Sequence, residues 1–417
     1  MRSPSTLRIG LADAVDPSDM QAGSGASASL LHAMDEILAE AVPLSGELGP
    51  RLGRVAHLSS AAMRLRPRDL RDLRGAIKRS HSAAQLGRPT IAAREWTIRR
   101  RLTAAGALDG VVQRGSEMRL PASCRVATLE DSTVLQAWRG YPWPHLQGFS
   151  ERDIQRYADR QRGVYEAAVA CCCSTHWVAQ SIVGDYGIPA SRVFTVGLGR
   201  NHDAPTANNA PAADDAATPN ATPRAEQAAG TALRDWSSPR YLFVGVDWQR
   251  KNGPAVLAAF ARVREQHPQA RLDVVGGHPR IDQPGVVAHG RLSLVDPSDR
   301  ERMAELYRRA TAFVMPSLHE PAGIVYVEAG GAGIASIGTT EGGAATMIGP
   351  GGLVVDPRQP EQIVAAMLEL ADPATARRLG ELARRNADLF TWRKVAERMI
   401  RALAIPGVDN GELAEFL

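Results

Sequence analysis

The sequence has 417 residues, of which 44% are apolar, and its formal net charge is +4. Because a single hydrophobic core rarely grows beyond about 250–300 residues, this length predicts two domains. No apolar run reaches the roughly 18 residues that a membrane-spanning helix needs, so an integral membrane protein is not expected. The first residues also lack the apolar core of a secretory signal, and we therefore expect a cytoplasmic location.

The first predicted strand covers residues 7–15, and a glycine-containing loop and a helix follow it. Gly23, Gly25 and Ala28 match the dinucleotide fingerprint G-x-G-x-x-A. That fingerprint places its first glycine directly after the strand, whereas about eight residues intervene here. Residues 42–46 also give no convincing second strand with an acidic end. We therefore reject a dinucleotide site, and a plain flexible loop is one interpretation of this segment.

Residues 51–101 concentrate positive charge, with fourteen Lys/Arg against three Asp/Glu. Residues 63–77 within this stretch have the pattern of an amphipathic helix with arginines on its polar side. Three interpretations remain open: a solvated surface, a surface that attracts anionic lipid headgroups, and one that attracts an anionic acceptor. Nucleic acid is disfavoured as a partner, because no aromatic platform or known binding module accompanies the charge.

Strands are predicted over residues 108–113 and 124–131. Asp131 therefore lies at the carboxyl end of a strand, where α/β proteins usually place chemistry. Its alternative role is that of a helix N-cap. An aromatic group follows, which could stack on sugar rings or simply pack as a loop. It consists of Trp138, Tyr141, Trp143 and His145.

Four cysteines are present, and three of them are consecutive, from Cys171 to Cys173. Their spacing suits neither a disulfide framework nor a zinc site. They end a run of small apolar residues, 168–173, which predicts a buried strand. Core packing of free thiols agrees with a reducing cytoplasm.

Residues 202–236 are rich in Ala, Pro, Asn and Thr without periodicity, which predicts a disordered linker. Beyond it, a strand ending at Gly245 leads past Arg250 and Lys251 into a helix that begins near residue 254. The alternation of strands and helices on both sides of the linker predicts two doubly wound α/β domains facing a cleft.

A short apolar run, residues 312–315, predicts a buried parallel strand, and two carboxylates follow it. Glu320 and Glu328 lie eight positions apart across the junction between this strand and the next helix. Ligands of open α/β sheets bind beyond such carboxyl ends. The N–H groups that start the helix, from Gly323 to Val325, suit a phosphate or other anion. The alternative is a solvated helix start with two surface carboxylates.

Residues 316–330 resemble the glutamate-x7-glutamate signature of family 4 glycosyltransferases, which are retaining enzymes of GT-B fold. The resemblance implies that Glu320 contacts hydroxyls of the donor sugar and that Glu328 contacts the nucleotide ribose. Residues 240–253 resemble the stretch whose lysine binds the donor diphosphate in this family. That role is thereby implied for Lys251, with Arg250 beside it.

Other segments extend the resemblance. Ser24 and Gly25 resemble the Ser-Gly pair that lies under the donor phosphates, where glycine lets the backbone approach the ligand. Asp131 resembles an Asp-containing turn on the acceptor side of the cleft. The resemblance thus implies the catalytic residues Glu320, Lys251 and Asp131. The implied donor-binding set is Ser24, Gly25, Arg250, Lys251, Gly276, Gly277, Arg291, Leu292, Glu320, Gly323, Ile324, Val325 and Glu328.

The resemblance implies that residues 1–201 form an acceptor-side Rossmann-like domain and residues 237–385 a donor domain. Residues 386–417 would form a helix that crosses back to the first domain. The implied activity is transfer of a hexose-type sugar from a nucleotide-diphosphate sugar to an unidentified saccharide, lipid-linked or small-molecule acceptor. UDP is preferred to GDP by family prevalence alone. The sequence departs from the family at Val246, where Arg is common, and at Ala322, where Phe is frequent.

Two alternatives to a transferase remain open: a catalytically inactive protein that binds sugar nucleotides and, less favoured, a glycoside hydrolase. No D-x-D pair occurs in the sequence, and cationic side chains stand where phosphates would lie. We therefore expect no metal ion or other cofactor, and peripheral contact with an anionic membrane stays an open interpretation.

Overall fold

The structure is a computed structural model that describes residues 2–62, 87–143, 146, 149–201, 234–293, 295–409 and 413–417. Two six-stranded parallel sheets lie within these residues. The first contains β1 (Arg8–Asp13), β2 (Glu40–Ser45), β3 (Gly110–Arg114), β4 (Val126–Glu130), β5 (Ala170–Cys173) and β6 (Val193–Thr195). The second contains β7 (Arg240–Gly245), β8 (Arg271–Gly276), β9 (Val286–Gly290), β10 (Ala312–Val314), β11 (Ala335–Thr339) and β12 (Gly352–Val355). The predicted pair of Rossmann-like α/β domains is confirmed.

Helices connect most successive strands of each sheet, whereas β3 and β4, like β8 and β9, are joined by loops. In the first domain they are α1 (Ala26–Asp35), α2 (Pro50–Ala62), α3 (Arg88–Ala105), α4 (Val134–Gly140), α5 (Glu151–Ala167) and α6 (His176–Gly184). Those that follow are α7 (Gly253–Gln266), α8 (Pro297–Arg309), α9 (Ile324–Gly331), α10 (Ala344–Ile348), α11 (Pro360–Glu369), α12 (Pro373–Ala387) and α13 (Trp392–Leu403). The strands are lined with buried aliphatic side chains on both faces, as expected for parallel sheets covered by helices.

The strand orders fix where ligands can bind. The first sheet runs β2-β1-β3-β4-β5-β6 and reverses between β1 and β3, whereas the second runs β12-β11-β10-β7-β8-β9 and reverses between β7 and β10. At such a reversal the loops diverge to opposite faces and open a crevice beyond the carboxyl ends of the strands. Lys251 follows β7 and Glu320 follows β10, so the fold brings the two side chains to the same crevice.

Strand β2 covers the residues for which no strand with an acidic end was predicted. Glu40–Ser45 pairs in parallel with β1, and Pro43 lies opposite Leu11. Because β2 is the edge of its sheet, the missing N–H of Pro43 costs no ladder hydrogen bond on the outer side. The strand ends at Ser45, so it still offers no acidic residue for a dinucleotide ribose.

The cysteine strand was predicted correctly. β5 lies between β4 and β6, and Cys171, Cys172 and Cys173 are fully buried. All four cysteines are free, and burial raises the pKa of the Cys171 thiol to about 12. These thiols are therefore protonated core groups rather than nucleophiles or ligands.

The C-terminal helix α13 packs against α1 and against β3, β4 and β5 of the first sheet. The buried Arg398 on this helix donates to the carbonyl oxygen of Val196 at 3.0 Å, and Trp392 Nε1 donates to Asn201 Oδ1 at 3.0 Å. The C-terminal helix α13 thus connects the second domain to the first domain. Of the predicted linker, residues 202–233 lie outside the described residues. So do residues 63–86 of the basic stretch.

Within the described residues, no helix combines the length and the apolar composition that crossing a bilayer requires.

Candidate active site

A cavity of about 480 Å³ lies between the two domains at the carboxyl ends of β7, β8 and β10. Most of the predicted donor-binding residues line it. They are Arg250, Lys251, Gly276, Arg291, Leu292, Glu320, Gly323, Ile324, Val325 and Glu328, and Asp131 joins them from the first domain. The fold therefore gathers residues from five separate segments of the sequence into one cleft. We call this cavity the donor cleft.

Glu320 is the most strongly held carboxylate of the donor cleft. Its Oε2 contacts the ammonium of Lys251, lies 3.5 Å from Nη1 of Arg250 and accepts a hydrogen bond from Ser317 Oγ at 3.1 Å. Burial by itself would raise the pKa of Glu320, but Lys251 and Arg250 outweigh it and hold the pKa below its usual range. The Glu320 carboxylate is therefore ionised in the folded protein at neutral pH.

The loop after β7 places Lys251 against Gly245, and Gly276 packs against Gly245 in turn. A Cβ atom on Gly245 would come within 2.8 Å of Lys251 Cγ, so the absence of a side chain there makes room for the lysine. Gly276, at the end of β8, has φ of 119° and would place a Cβ atom 2.0 Å from the carbonyl oxygen of Gly245. Only glycine suits this position, because the backbone is left-handed and the neighbouring chain touches it. Gly277 similarly abuts Val246 and does not itself line the cleft.

Arg250 links the donor cleft to the first domain. Its guanidinium lies over the ring of Trp143 at 5.0 Å, and Nη1 donates to the carbonyl oxygen of His319 at 2.9 Å. The imidazole of His319 packs edge-on against Trp143 and Trp177, with ring centroids 5.8 and 5.4 Å away. Of the predicted aromatic group, Trp143 thus lines the cleft and belongs to the contact between the domains, and His145 lies outside the described residues.

The start of helix α9 faces the donor cleft. Gly323 has φ of 86°, a left-handed turn that would drive a Cβ atom within 2.6 Å of the Tyr326 ring. Ile324 and Val325 then begin the helix at the cavity wall. Their position brings the positive end of the helix dipole to the cleft, which favours an anion there.

Glu328 lies one turn further along α9 and is buried. It accepts a hydrogen bond from the hydroxyl of Tyr307 at 2.9 Å, while the side chain also lines the cleft. Burial and the nearby carboxylate raise the pKa of Tyr307 well above its usual range, so its hydroxyl stays a donor. The two glutamates therefore have different surroundings: Glu320 faces cations, whereas Glu328 faces a neutral hydroxyl.

Asp131 extends from the end of β4 into the cleft and is about half exposed, with 53% of its side-chain surface accessible. Its Oδ2 lies 3.9 Å from Nη2 of Arg114. The N-cap of the following helix α4 is Thr133, whose hydroxyl accepts from the N–H of Gln136. Asp131 thus lies at the cavity, and Thr133 rather than Asp131 is the N-cap of α4.

Ser24 and Gly25 end a 3-10 turn, Ala22–Gly25, that leads into α1. Gly25 has φ of 71°, and the next residue, Ala26, lines the donor cleft. The turn thus lies at the cleft rim, next to Ala26.

Sequence reasoning missed Arg114 and Asn201. Arg114 ends β3 and lines the cleft, and its position at a strand's carboxyl end was a usable signal. Asn201, in the turn before the linker, also lines the cleft and accepts from Ser29 Oγ at 3.3 Å. Among the described residues, no group of three or more His, Cys, Asp or Glu is arranged to hold a metal ion.

Comparison with known proteins shows what the second domain is similar to. Residues 238–372 match a family model described as "Glycosyl transferases group 1". This matched segment contains Lys251, Glu320 and Glu328, so the second-domain residues of the donor cleft lie in the part of the chain that is similar to glycosyltransferases.

Three named proteins are similar to part of this chain. The chain is 34% identical over 171 residues to a D-inositol 3-phosphate glycosyltransferase of Jonesia denitrificans, which covers 36% of this chain and 40% of the relative. It is 34% identical over 164 residues to a glycogen synthase of Mycobacterium tuberculosis H37Rv, covering 37% of this chain and 40% of the relative. A D-inositol 3-phosphate glycosyltransferase of Xylanimonas cellulosilytica is 30% identical over 261 residues, 58% of each chain. The matches thus span 40–58% of the length of these relatives.

Solved structures share the fold along nearly the whole chain. A sucrose-phosphate synthase from Thermosynechococcus elongatus superimposes with a TM-score of 0.63 at 18% identity, covering 95% of this chain and 98% of that one. A glycosyltransferase from Rickettsia africae gives a TM-score of 0.58 at 14% identity with the same coverage. At these identities the likeness concerns the fold alone, and it agrees with two Rossmann-like domains in the GT-B arrangement.

Proposed function

We propose that the protein transfers a hexose-type sugar from a nucleotide-diphosphate sugar to an acceptor, with retention of the anomeric configuration. The observation that carries this proposal is the pairing of Glu320 with Lys251 and Arg250 in the donor cleft. One carboxylate and two cations there lie beside the start of a helix, which is the charge pattern that a sugar joined to a diphosphate requires.

In this proposal Lys251, Arg250 and the N–H groups that start α9 stabilise the negative charge that builds on the leaving diphosphate. Glu320 holds hydroxyls of the sugar ring and faces the positive charge that develops as the glycosidic bond breaks. Glu328 binds hydroxyls of the nucleotide ribose. Closure of the domains around the donor would exclude water and favour transfer over hydrolysis.

UDP is the first nucleotide to test and GDP the second, because this order follows their prevalence in the family that the motif resembles. The chemical identity of the acceptor stays open. D-inositol 3-phosphate, which the names of two relatives contain, is one candidate. Donor binding is proposed to need no divalent metal, since Lys251 and Arg250 in the donor cleft would supply positive charge to the diphosphate.

A hydrolase is the less favoured alternative. Its general acid needs a carboxyl whose pKa is raised so that a proton is held near neutral pH. The pKa of Glu320 is lowered instead, because Lys251 and Arg250 outweigh the effect of burial. An inactive protein that binds sugar nucleotides would share the donor cleft, and turnover separates it from a transferase.

The proposal is tested by incubating the protein with a panel of labelled UDP- and GDP-sugars and candidate acceptors. A transferase yields a labelled glycoside together with the free nucleoside diphosphate. Nucleotide binding without any product would favour the inactive binding protein, and label released as free sugar at the same rate with and without acceptors would favour the hydrolase.

We also propose that the first domain contacts an anionic membrane surface from the cytoplasmic side. Val55 and Leu58 on α2 are 63% and 71% exposed, and Trp96 on α3 is 52% exposed. The described parts of the basic stretch, residues 51–62 and 87–101, carry seven arginines and one glutamate. Arg100 stacks over the Trp96 ring at 4.9 Å. Exposed apolar and aromatic side chains amid arginines are the composition of an interfacial surface.

A further inference from the structure

The side chain of His319, in the second domain, reaches into the first domain. The residue lies in the loop between β10 and α9, one position before Glu320, and is only 1% exposed. Its imidazole fits among Gly140 at the end of α4, Trp143, and Trp177 of α6. A Cβ atom on Gly140 would come within 2.3 Å of the ring, so a larger residue there would displace it. We call these three first-domain residues the His319 socket.

The backbone on either side of His319 is held by the second domain. Its carbonyl oxygen accepts from Arg250 Nη1 at 2.9 Å, and the N–H of Glu320 donates to the carbonyl oxygen of Glu341 at 2.9 Å. Arg250 and Glu320 both line the donor cleft. The imidazole therefore connects the first domain directly to the loop that positions these two residues.

Two hydrogen bonds between the domains beside the socket are long. Thr175 Oγ1 donates to the carbonyl oxygen of Pro321 at 3.4 Å, and the N–H of His176 donates to Thr346 Oγ1 at 3.3 Å. Both distances exceed the usual range, so each bond is weak. A buried ring that leaves its socket loses many packing contacts at once, so we expect it to hold the domains more firmly than either bond.

The socket suits a neutral imidazole. Nε2 of His319 is buried and has no hydrogen-bond partner among the described residues. Both ring nitrogens of a protonated histidine are donors, and burying a donor or a charge without a partner is costly. Burial accordingly lowers the pKa of His319 below its usual range.

The charged groups of the second domain around His319 are already paired. Glu320 and Glu341 raise the pKa of the imidazole, whereas Arg250 and Arg358 lower it. Glu320 Oε2 lies 3.5 Å from Arg250 Nη1, and Glu341 Oε1 lies 2.8 Å from Arg358 Nη1. Neither carboxylate is therefore available to balance an imidazolium by itself.

The titratable neighbours of the socket in the first domain are occupied as well. Arg139 of α4 pairs with Asp185 at 2.8 Å, and His176 of α6 shares a hydrogen bond with Thr195 Oγ1 at 3.0 Å. Burial raises the pKa of Tyr141, which therefore stays neutral. A proton on the imidazole would thus place an uncompensated charge in the socket.

We propose that His319 is a positioning residue: its imidazole, inserted in the His319 socket, holds the two domains together at the donor cleft, and removal or protonation of the ring lets them separate. The consequence for catalysis rests on the proposed glycosyl transfer, whereas the consequence for molecular shape does not. Glu320 and Arg250 remain with the second domain in either state, so nucleoside diphosphate binding survives the separation. Asp131 of the first domain moves away from the donor, so the chemical step slows.

Variants on the two sides of the socket test this contact in the full chain. His319→Ala empties the socket and Gly140→Ala displaces the imidazole, so each should raise the radius of gyration in small-angle X-ray scattering at unchanged far-UV circular dichroism. In the double variant Gly140→Ala should add nothing, because the ring that it displaces is gone. Gly184→Ala is the matched control, since Gly184 also ends a first-domain helix and its Cβ atom would meet nothing within 4 Å.

Two scattering results would overturn the proposal. One is an unchanged radius of gyration in His319→Ala. The other is an effect of Gly140→Ala that is equally large with and without His319, because the glycine would then act through some other contact.

Acid should separate the domains of the wild-type protein without any substitution. Because the folded pKa of His319 is lowered, the socket stabilises the domain contact above the unfolded pKa of about 6.5, and this contribution is lost as the pH falls through the folded value. The radius of gyration should therefore rise reversibly between about pH 7.5 and pH 5, and that of His319→Ala should stay constant. A constant radius in the wild type, or an equal rise in His319→Ala, would contradict the role of protonation.

Kinetics with the donor and acceptor found by the panel above give the second readout. His319→Ala and Gly140→Ala should each lower kcat at least tenfold and leave the affinity for UDP or GDP within about twofold of the wild type. Full turnover in both variants would overturn the positioning role. Absence of turnover in the wild type would instead refute the proposed glycosyl transfer, and the scattering experiment would still decide whether the socket holds the domains together.

Discussion

The ammonium of Lys251 and the carboxylate of Glu320 form a buried ion pair, although 69 positions of sequence separate them. Burial lowers the pKa of Lys251, and the carboxylate opposes that shift. Each residue therefore keeps the other charged inside the donor cleft. In the proposed function the donor diphosphate takes over part of the lysine's charge, and Glu320 becomes available to the sugar.

Removal of Lys251 should therefore damage both binding and stability. Lys251→Met is expected to weaken nucleoside diphosphate binding by about 1.5–3 kcal/mol, roughly 10- to 100-fold, through loss of a charged hydrogen bond. It should also lower the free energy of unfolding by about 3–5 kcal/mol, because Glu320 stays buried near Arg250 alone. Calorimetry and urea unfolding measure the two effects. Lys394→Met, at a lysine outside the cleft, should show neither, and equal losses in the two variants would refute the role of Lys251.

The ion pair also predicts how stability depends on pH. Because the folded pKa of Glu320 is lowered, the carboxylate stabilises the fold above its unfolded pKa of about 4.3, and this contribution is lost as the pH falls through the folded value. Glu320→Gln cannot titrate, so its free energy of unfolding should fall less steeply with acid than that of the wild type between about pH 5 and pH 2. Glu361→Gln, at an exposed glutamate, serves as the control. Parallel curves for wild type and Glu320→Gln would show that Glu320 has an ordinary pKa.

Much of the donor cleft was predictable, because it depends on local patterns. An apolar run followed by a turn and a helix start places Glu320 and Gly323 at a strand's carboxyl end, and parallel strands bring such ends together. The same reasoning placed Lys251 after β7. The edge strand β2 was missed because Pro43 interrupts its pattern, and only pairing with β1 stabilises it there.

Contacts between the domains were not predictable in the same way. His319 meets Trp143 and Trp177 across the interface, and a Cβ atom on Gly140 would come within 2.3 Å of the imidazole. Such a fit depends on the relative placement of two separately folded sheets. No periodicity or spacing in a single sequence encodes which distant side chains will meet.

Donor binding is predicted to be independent of divalent metal. In the proposed function, Lys251 and Arg250 supply the positive charge that a metal ion would otherwise bring to the diphosphate. Nucleoside diphosphate affinity should therefore change less than about twofold on addition of EDTA, measured by calorimetry at constant ionic strength. Loss of binding with EDTA, with recovery on addition of magnesium or manganese, would contradict this prediction.

The arginine-rich surface of α2 and α3 should bind anionic lipid. Vesicles that contain phosphatidylserine are expected to sediment the protein at low salt, and added salt should release it, since exposed charges are screened. Arg99→Glu with Arg100→Glu should abolish most of the binding, each arginine contributing about 1 kcal/mol near the surface. The matched control is Arg280→Glu with Arg300→Glu, two exposed positions of the second domain. If the wild-type protein stays in solution with anionic vesicles at low salt, the membrane proposal is wrong. The arginine-rich surface would then be a solvated surface only.

The two glutamates of the donor cleft should be separable by experiment. Ribose contacts are equal in the ground and transition states, so Glu328→Ala should weaken free nucleoside diphosphate and nucleotide sugar alike, by about 1–3 kcal/mol. In the proposed function, Glu320 faces the ring whose positive charge grows in the transition state, so Glu320→Gln should lower kcat. Its affinity for free nucleoside diphosphate should stay nearly that of the wild type.

The most direct test of the account is therefore calorimetric titration of nucleoside diphosphate beside steady-state kinetics for Glu328→Ala and Glu320→Gln. The account predicts an affinity loss confined to Glu328→Ala and a kcat loss at full nucleotide affinity in Glu320→Gln. Equal loss of nucleotide affinity in both variants, or full turnover in both, would contradict it.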